Sequence, residues 1–385
     1  MFNRRIPLAW KQLTRQRGRF LIAVLGIAFA DILMLMQLGF QDALYDSNTR
    51  LHQLLQADLV LISPTARNLT TLQTFPRRRL FQATNHSAVQ IAEPMYIRPG
   101  LWKNPQTQEE TAILVIGYNP ARSAFNLPEV NQNLSLLRFP EMLVFDRASR
   151  GNYRDAIAQI TQGNSVTTEL EGRQITLAGL YKVGASFGPD GSVMTSDQNF
   201  LRIFPRTQSG EVSLGRILLK PSYDVAIVAQ ELKAQLSSDV QVLTKAEFIQ
   251  FEADFWRRNT AIGFIFSLGV GMGFIVGIII VYQILHSDVN DHLSEYATLK
   301  AMGYRDRYLL RVVFEEALIL SISGFIPGHL ISIFLYSLTQ SATNLPLAMT
   351  LTRTMQVLLL TIAMCMISGA IAIRKLRSAD PADIF

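Results

Sequence analysis

A serine flanked by glycines is the first candidate for chemistry in this sequence. Gly184-Ala185-Ser186-Phe187-Gly188 has the G-x-S-x-G spacing that, in hydrolases, exposes a nucleophilic serine on a turn between a strand and a helix. A strand-like run precedes it, but Pro-Asp-Gly at 189–191 favours a turn and does not begin a helix. We therefore expect a glycine-rich loop between two strands, and no hydrolase site.

Residues with metal-ligating side chains follow a long apolar run: His286, Asp288, Asp291 and His292. Imidazole and carboxylate groups are common ligands of transition metals. The alternative is a polar linker in which Asp288 or Asp291 caps the next helix. We prefer the linker and predict no metal site. Cys365 is the only cysteine, which rules out a disulfide within the chain and a cysteine-based metal site.

Asp31 is a carboxylate inside an apolar run, and Gln37 lies about a turn and a half further along it. Placing a carboxylate at bilayer depth costs about 2.5–3.5 kcal/mol, so Asp31 should face another helix or water. Three roles remain open: a protonated structural residue, a polar contact between helices that changes during a cycle, and a proton relay. His329, in a later apolar run, is a candidate partner.

No segment of the chain has the form G-x-x-x-x-G-K-[ST]. That segment forms the usual loop whose backbone N–H groups and lysine hold the phosphates of ATP. We therefore expect no ATP hydrolysis by that route, and no cofactor bound by this chain.

Four apolar runs must position these residues. They span 20–40, 261–285, 312–338 and 355–373, close to the roughly 20 apolar residues with which a helix crosses a bilayer. The segment 28–30, Ala-Phe-Ala, resembles a signal-peptidase site, but apolar residues continue beyond it. We therefore predict an uncleaved membrane helix there, and a membrane α-helical protein with four transmembrane helices.

The placement of lysine and arginine predicts the orientation of these helices, because short cytoplasmic loops carry an excess of both. Thirteen lie in residues 1–19, 286–311 and 374–385, and five lie near the opposite ends of the runs. We therefore place both termini and the 286–311 loop in the cytoplasm, and the short 339–354 loop outside it. This topology explains the net charge of +6, and no nucleic-acid partner is expected.

Residues 41–260, between the first two helices, should fold as a large extracytoplasmic α+β domain. Strand-like runs lie at 57–63, 94–103, 111–118, 142–146, 173–183 and 214–220, and helical patterns at 42–56 and 224–238. We predict two subdomains with a boundary near 128–140, and stalk helices at 41–56 and 244–260. Residues 1–19 have the pattern of an amphipathic helix on the cytoplasmic leaflet, with a solvated basic tail as the alternative.

Gly269, Gly273 and Gly277 recur every four residues in the second run. Small residues on one face of a membrane helix allow a second helix to approach closely, and van der Waals contacts then hold the pair. We expect this stripe to pack against a helix of the same bundle or of a second copy of the chain; the alternative is that a membrane helix simply tolerates these glycines.

The loop between the second and third runs contains a short amphipathic segment, SEYATLKAMG at 294–303. An acidic residue near its start and a lysine near its end suit the helix dipole, and a glycine ends it. Its apolar stripe is typical of a helix that enters a groove on a partner protein. The predicted contact residues are Glu295, Tyr296, Ala297, Leu299, Lys300, Ala301, Met302 and Gly303.

This layout resembles the MacB/FtsX/LolC-type permeases of ABC transporters. In that family the loop carries a coupling helix of the form R-E-[IY]-[GA]-x-x-[KR]-A-[ML]-G; residues 295–303 resemble it, and Ser294 replaces the leading arginine. Glu316 and the tail ADPADIF also fit the family. Within it, FADILMLMQLGF, GASFGPDGSVMTSDQNFLRIF and EYATLKAMGY are most similar to the cyanobacterial DevC subgroup of exporter permeases.

The resemblance implies a homodimeric, non-catalytic permease in the cell inner membrane, with its large domain in the periplasm. It also implies a separate cytoplasmic ATPase, which binds ATP and Mg, a periplasmic adaptor and, indirectly, a TolC-like outer-membrane channel. The DevC subgroup implies export of a glycolipid, with membrane lipid as a further contact. The alternatives are an FtsX-like regulator of a periplasmic enzyme, a lipoprotein-releasing permease and, with the fewest features in its favour, a proton-coupled transporter.

Overall fold

The structure is a computed structural model that describes residues 17–291, 302, 306–343 and 345–378. The described residues form two compact units. We call residues 43–260, with the short segment 342–346, the sheet unit. The described residues within 1–42, 261–341 and 347–385 make up the other, the helical unit.

Ten α-helices lie in the described part of the chain. They are α1 (Arg17–Leu54), α2 (Arg78–Thr84), α3 (Pro128–Gln132), α4 (Arg154–Thr161), α5 (Asp197–Ile203), α6 (Val225–Gln235), α7 (Lys245–Arg258), α8 (Ala261–Asp291), α9 (Asp306–Thr343) and α10 (Leu351–Ser378). Two 3₁₀ turns, Leu69–Thr71 and Leu136–Arg138, complete the helical structure of these residues.

Four of these helices, α1, α8, α9 and α10, are long and apolar enough to cross a membrane. Each contains one of the four predicted apolar runs, and the α+β unit lies between the first and second of them in the sequence. The predicted fold class is therefore confirmed. The first predicted stalk is the continuation of α1 as far as Leu54, whereas the second is a separate helix, α7, which ends before Asn259.

Eleven strands are described in the sheet unit. They are β1 (Leu59–Ile62), β2 (Phe75–Pro76), β3 (Val89–Lys103), β4 (Glu110–Tyr118), β5 (Met142–Asp146), β6 (Val166–Leu170), β7 (Arg173–Tyr181), β8 (Ser192–Ser196), β9 (Glu211–Val212), β10 (Leu214–Leu219) and β11 (Gln241–Thr244). Nine form one sheet in the order β11-β1-β10-β3-β4-β8-β5-β7-β6, and β2 pairs with β9. The pairs β4–β8 and β5–β7 are parallel, while the others in the sheet are antiparallel.

The long strand β3 closes part of this sheet on itself. Besides its neighbours β10 and β4, it pairs with β6 through Trp102 and Leu170, so six strands form a ring. Trp102 is fully buried there, and its ring stacks on Phe145 with centroids 5.4 Å apart. The indole N–H donates to the Tyr153 hydroxyl at 3.2 Å, so the one polar atom of the indole is satisfied.

Two clusters of buried apolar residues cover the two faces of the sheet. Strands buried on both faces are apolar without alternation, as in the fully buried LVLI of β1. All six predicted strands are confirmed. The predicted subdomain boundary near 128–140 stays a prediction; α3 and a 3₁₀ turn lie there, and strands on both sides of it belong to the same sheet.

Candidate functional site

A polar contact joins the first and last membrane-length helices. Asp31 of α1 and Thr361 of α10 are both fully buried, with 2.5 Å between Asp31 Oδ1 and Thr361 Oγ1. The same Oγ1 lies 2.8 Å from the Val357 carbonyl oxygen. The Thr361 hydroxyl has one hydrogen, which it either shares between the two oxygens or donates to Val357 while a neutral Asp31 carboxyl donates to Thr361.

His329 does not take the place proposed for it beside Asp31. The hydrogen-bond partner of Asp31 is Thr361, while the half-buried His329 ring stacks on Phe325 with centroids 5.4 Å apart. The rotation of α9 explains the difference, because Gly328, the residue before His329, is the one that faces Asp31, and successive residues of a helix point about 100° apart.

The three glycines of α8 face α1. A Cβ at Gly269 would lie 2.5 Å from Gln37 Cδ, and one at Gly273 would lie 3.1 Å from Met34 Cγ. A Cβ at Gly277 would lie 3.2 Å from the Ala30 Cβ and would also overlap Met364 of α10. Of the two expected packing partners, the structure therefore brings the stripe against a helix of the same bundle, and Gln37 covers its first glycine.

A second pair of glycines, which the sequence analysis missed, brings α9 against α1. A Cβ at Gly324 would lie 2.5 Å from the Ile27 Cβ. At Gly328 it would lie 3.0 Å from the Ala28 carbonyl oxygen and 3.1 Å from the Asp31 Cβ. The signal was present, since these glycines are four residues apart in an apolar run.

Acidic residues are also buried between α8 and α9. Glu316 is fully buried and its carboxyl faces Asp288, which is itself 8% exposed. Asp291 pairs with Arg19 of α1. No group of three or more His, Cys, Asp and Glu residues suited to a metal ion occurs among the residues described, and His292 lies outside them.

The predicted coupling segment lies almost entirely outside the described residues. Of residues 294–303, only Met302 is described, and its side chain is 63% exposed. The contacts proposed for Glu295, Tyr296, Ala297, Leu299, Lys300, Ala301 and Gly303 therefore stay predictions. The flanking helices are described up to Asp291 and from Asp306 onward.

The sheet unit contains a buried contact between a carboxylate and an imidazole that no sequence pattern predicted. Glu252 of α7 and His52 of α1 are 2% and 1% exposed, with 3.5 Å between Oε2 and Nε2. Glu252 also accepts the Leu69 backbone N–H at 2.7 Å and the Trp256 indole N–H at 2.8 Å. One carboxylate thus joins α1, α7 and a 3₁₀ turn. Because His52 and Leu69 lie far from Glu252 in the chain, no local residue spacing predicts their contact with it.

The glycine-rich segment around Ser186 is a loop between β7 and β8, as expected. Buried Asp146 accepts the backbone N–H groups of Val183 at 3.0 Å and Gly184 at 2.7 Å. Burial raises the pKa of Asp146, although these hydrogen bonds and the Arg50 charge act in the opposite direction. The Arg50 guanidinium donates to the Val183 carbonyl oxygen, so the loop is held from two sides.

Comparison with known proteins gives one family match. Residues 261–381 match the FtsX-like permease C-terminal family. This part of the chain is similar to FtsX-like permeases. The matched residues contain α8, α9, α10 and the segment 294–303. They therefore include the three glycines of α8 and the two of α9 that face α1, and the Thr361 hydroxyl.

Two solved structures share a distant likeness to this chain. The periplasmic region of MacB from Actinobacillus actinomycetemcomitans is 9% identical, with 51% of this chain and 92% of that chain covered and a TM-score of 0.34. The extracellular domain of YknZ, a noncanonic ABC-type transporter from Gram-positive bacteria, is 11% identical, with 49% and 100% covered and a TM-score of 0.31. No curated protein matches the sequence significantly.

Proposed function

We propose that this chain is the permease subunit of an ABC transporter of the MacB type. The observation that carries the proposal is the similarity of residues 261–381 to FtsX-like permeases. The chain has no phosphate-binding loop of the G-x-x-x-x-G-K-[ST] form, so ATP hydrolysis belongs to a separate cytoplasmic subunit, which also holds Mg. This chain is then a non-catalytic subunit.

The route of movement begins in the segment 294–303, which the chain places between α8 and α9. A partner ATPase that moves this segment moves the two helices that flank it. Small residues and a buried hydrogen bond fasten α8, α9 and α10 to α1. Since α1 is one uninterrupted helix whose last turns belong to the sheet unit, it is the element that carries movement onward.

The DevC-like segments of the sequence support a more specific assembly, orientation and substrate. The chain works as a homodimer in the inner membrane, with both termini in the cytoplasm and the sheet unit in the periplasm. The sheet unit expels a glycolipid into a periplasmic adaptor and, through it, a TolC-like channel. Purification of the complex from native membranes tests these parts. An adaptor and a channel among its subunits favour export, whereas a cell-wall hydrolase favours a regulator.

The coupling role is tested with the double substitution Leu299→Asp and Met302→Asp. Two carboxylates on the apolar stripe should prevent its insertion into a groove on the ATPase. We expect stimulation of the partner ATPase to fall to the level measured without this chain, with membrane insertion unchanged. The measurement is ATP turnover by the complex reconstituted in nanodiscs.

Phe81 of α2 provides a matched control, because its side chain is 64% exposed and that of Met302 is 63% exposed. Phe81→Asp makes the same change as Met302→Asp, one carboxylate at a similarly exposed apolar position, but in the sheet unit, and it should leave ATP turnover unchanged. Full stimulation by the double variant would refute the coupling role.

A further inference from the structure

The helical unit holds a buried arginine that the proposed function has not used. Arg353, in the first turn of α10, is 4% exposed. Its Nε and Nη2 donate to Asp42 Oδ2 of α1 at 3.1 and 2.5 Å. Its Nη1 donates to the Tyr336 hydroxyl of α9 at 3.2 Å and to the Ala348 carbonyl oxygen at 2.8 Å. One guanidinium therefore binds groups from two other helices.

Tyr336 extends this contact along α1. It is 2% exposed, and its hydroxyl donates to the Leu35 carbonyl oxygen. The Arg353 guanidinium lies over its ring, 5.5 Å from the centroid, in cation–π geometry. Gly39 makes this approach possible, because a Cβ there would overlap the Tyr336 ring. Arg353, Tyr336, Asp42 and Gly39 thus form a contact among three helices, which we call the arginine clamp.

The burial of Arg353 makes the clamp difficult to open. An arginine keeps its charge at any ordinary pH, and a buried charge without its partner is strongly unfavourable. The Asp42 side chain is 48% exposed and so could leave at little cost, but the Arg353 side chain, 5% exposed, could not follow it into water without moving α10. Separation of α1 from α10 at this level therefore leaves the guanidinium without its carboxylate partner, with only the Tyr336 and Ala348 oxygens as acceptors.

We propose that Arg353 is a positioning residue that keeps α1 fastened to α9 and α10 throughout the transport cycle. The inference rests on the proposed function for the origin of the movement, which enters the bundle next to α8 and α9. The clamp holds α1 at Asp42, and α1 continues from there to Leu54. When α9 and α10 move, α1 therefore moves with them. A permease with an open clamp still contacts its ATPase, but α1 no longer moves together with α9 and α10.

The test measures the separation of α1 and α10 directly. Spin labels on Gln41→Cys and Thr352→Cys, in a Cys365→Ala background, report this separation by double electron–electron resonance. The full chain is measured alone in nanodiscs, and then with its ATPase, both nucleotide-free and trapped with ATP and vanadate. We expect one narrow distance distribution in all three states. In Asp42→Asn it should become broader and longer, and Asp42→Glu should restore it.

Asp254→Asn is the matched control, because it makes the same change in the exposed Arg257–Asp254 pair of α7. It should leave the distribution narrow. A wild-type distance that changes on ATP trapping, or an Asp42→Asn distribution like that of the wild type, overturns the clamp. If the chain does not stimulate any ATPase, the proposed function fails. The clamp is still tested in that case, because the distance distributions of Asp42→Asn and the wild type are compared in the chain alone.

Discussion

At the scale of single residues, several buried polar groups of the helical unit form hydrogen bonds between helices. Asp31 is the clearest case. A carboxyl group in an apolar environment is costly unless it finds a partner, and Thr361 supplies one. Because Thr361 also bonds to the carbonyl oxygen of Val357, a neutral Asp31 accounts for both short oxygen–oxygen distances. Among the three roles left open by the sequence, this geometry favours the protonated structural residue.

Substitution of the two partners distinguishes a neutral from an ionised Asp31. Asp31→Asn keeps the shape and can donate an amide hydrogen to Thr361, so we expect nearly unchanged stability. Thr361→Val leaves the carboxyl of Asp31 without this partner and should cost about 1–3 kcal/mol, the usual penalty for an unsatisfied buried group. Thermal unfolding in detergent, followed by size-exclusion chromatography, measures both. A loss of stability in Asp31→Asn as large as that in Thr361→Val would show that the carboxylate itself is needed.

At the scale of elements, α1 is the helix that the other three pack against. Glycines of α8 and α9 lie on its surface, and α10 contacts it through Thr361 and Arg353. Helix association in a membrane depends on such close van der Waals contacts, because lipid is as apolar as the side chains it replaces. Positions where the neighbouring atoms are backbone should be the least tolerant of an added side chain.

Gly328 is such a position, since an added Cβ would lie 3.0 Å from the carbonyl oxygen of Ala28. Gly328→Leu should separate α9 from α1 and destabilise the bundle by about 1–3 kcal/mol or more, as overpacking does. Gly271→Leu is the control, because a Cβ there would meet no atom within 4 Å. Unfolding temperatures in detergent compare the two. Equal temperatures for both variants would contradict the packing described for α9.

At the scale of the whole molecule, the two units have separate cores. Two clusters of buried apolar residues lie on the faces of the sheet, and a third lies among the long helices. A unit with its own core and few covalent connections is expected to fold alone.

We therefore expect residues 43–260, expressed without the membrane helices, to be soluble and to unfold in one cooperative transition. The buried pair of Glu252 and His52 lies inside this fragment and should help to keep α7 and the last turns of α1 attached to it. Circular dichroism during heating measures the transition, and hydrogen exchange locates the protected strands. Aggregation, or a gradual loss of signal without a transition, would show that the sheet unit needs the helices.

Several features of the fold were predictable because their signals are local. The four apolar runs predicted the long helices, and alternating or β-branched runs predicted six strands. The strands that were missed, such as β6 with its sequence VTTEL, are short and rich in polar residues. Their pairing, and not their own hydrophobicity, makes them strands. The glycine stripe of α8 was predicted to pack, and only its partner remained open.

The sequence by itself determined the class of the protein: an apolar run long enough to cross a bilayer must form a helix there, since lipid offers no partner to the backbone. It also determined the absence of the usual phosphate-binding loop, which is a contiguous motif. Only the tertiary structure decided which residues meet. Asp31 faces Thr361, Glu252 faces His52 and Arg353 faces Asp42 across separations of 330, 200 and 311 positions. Such pairs depend on the depth and rotation of packed helices, which no single segment of the chain encodes.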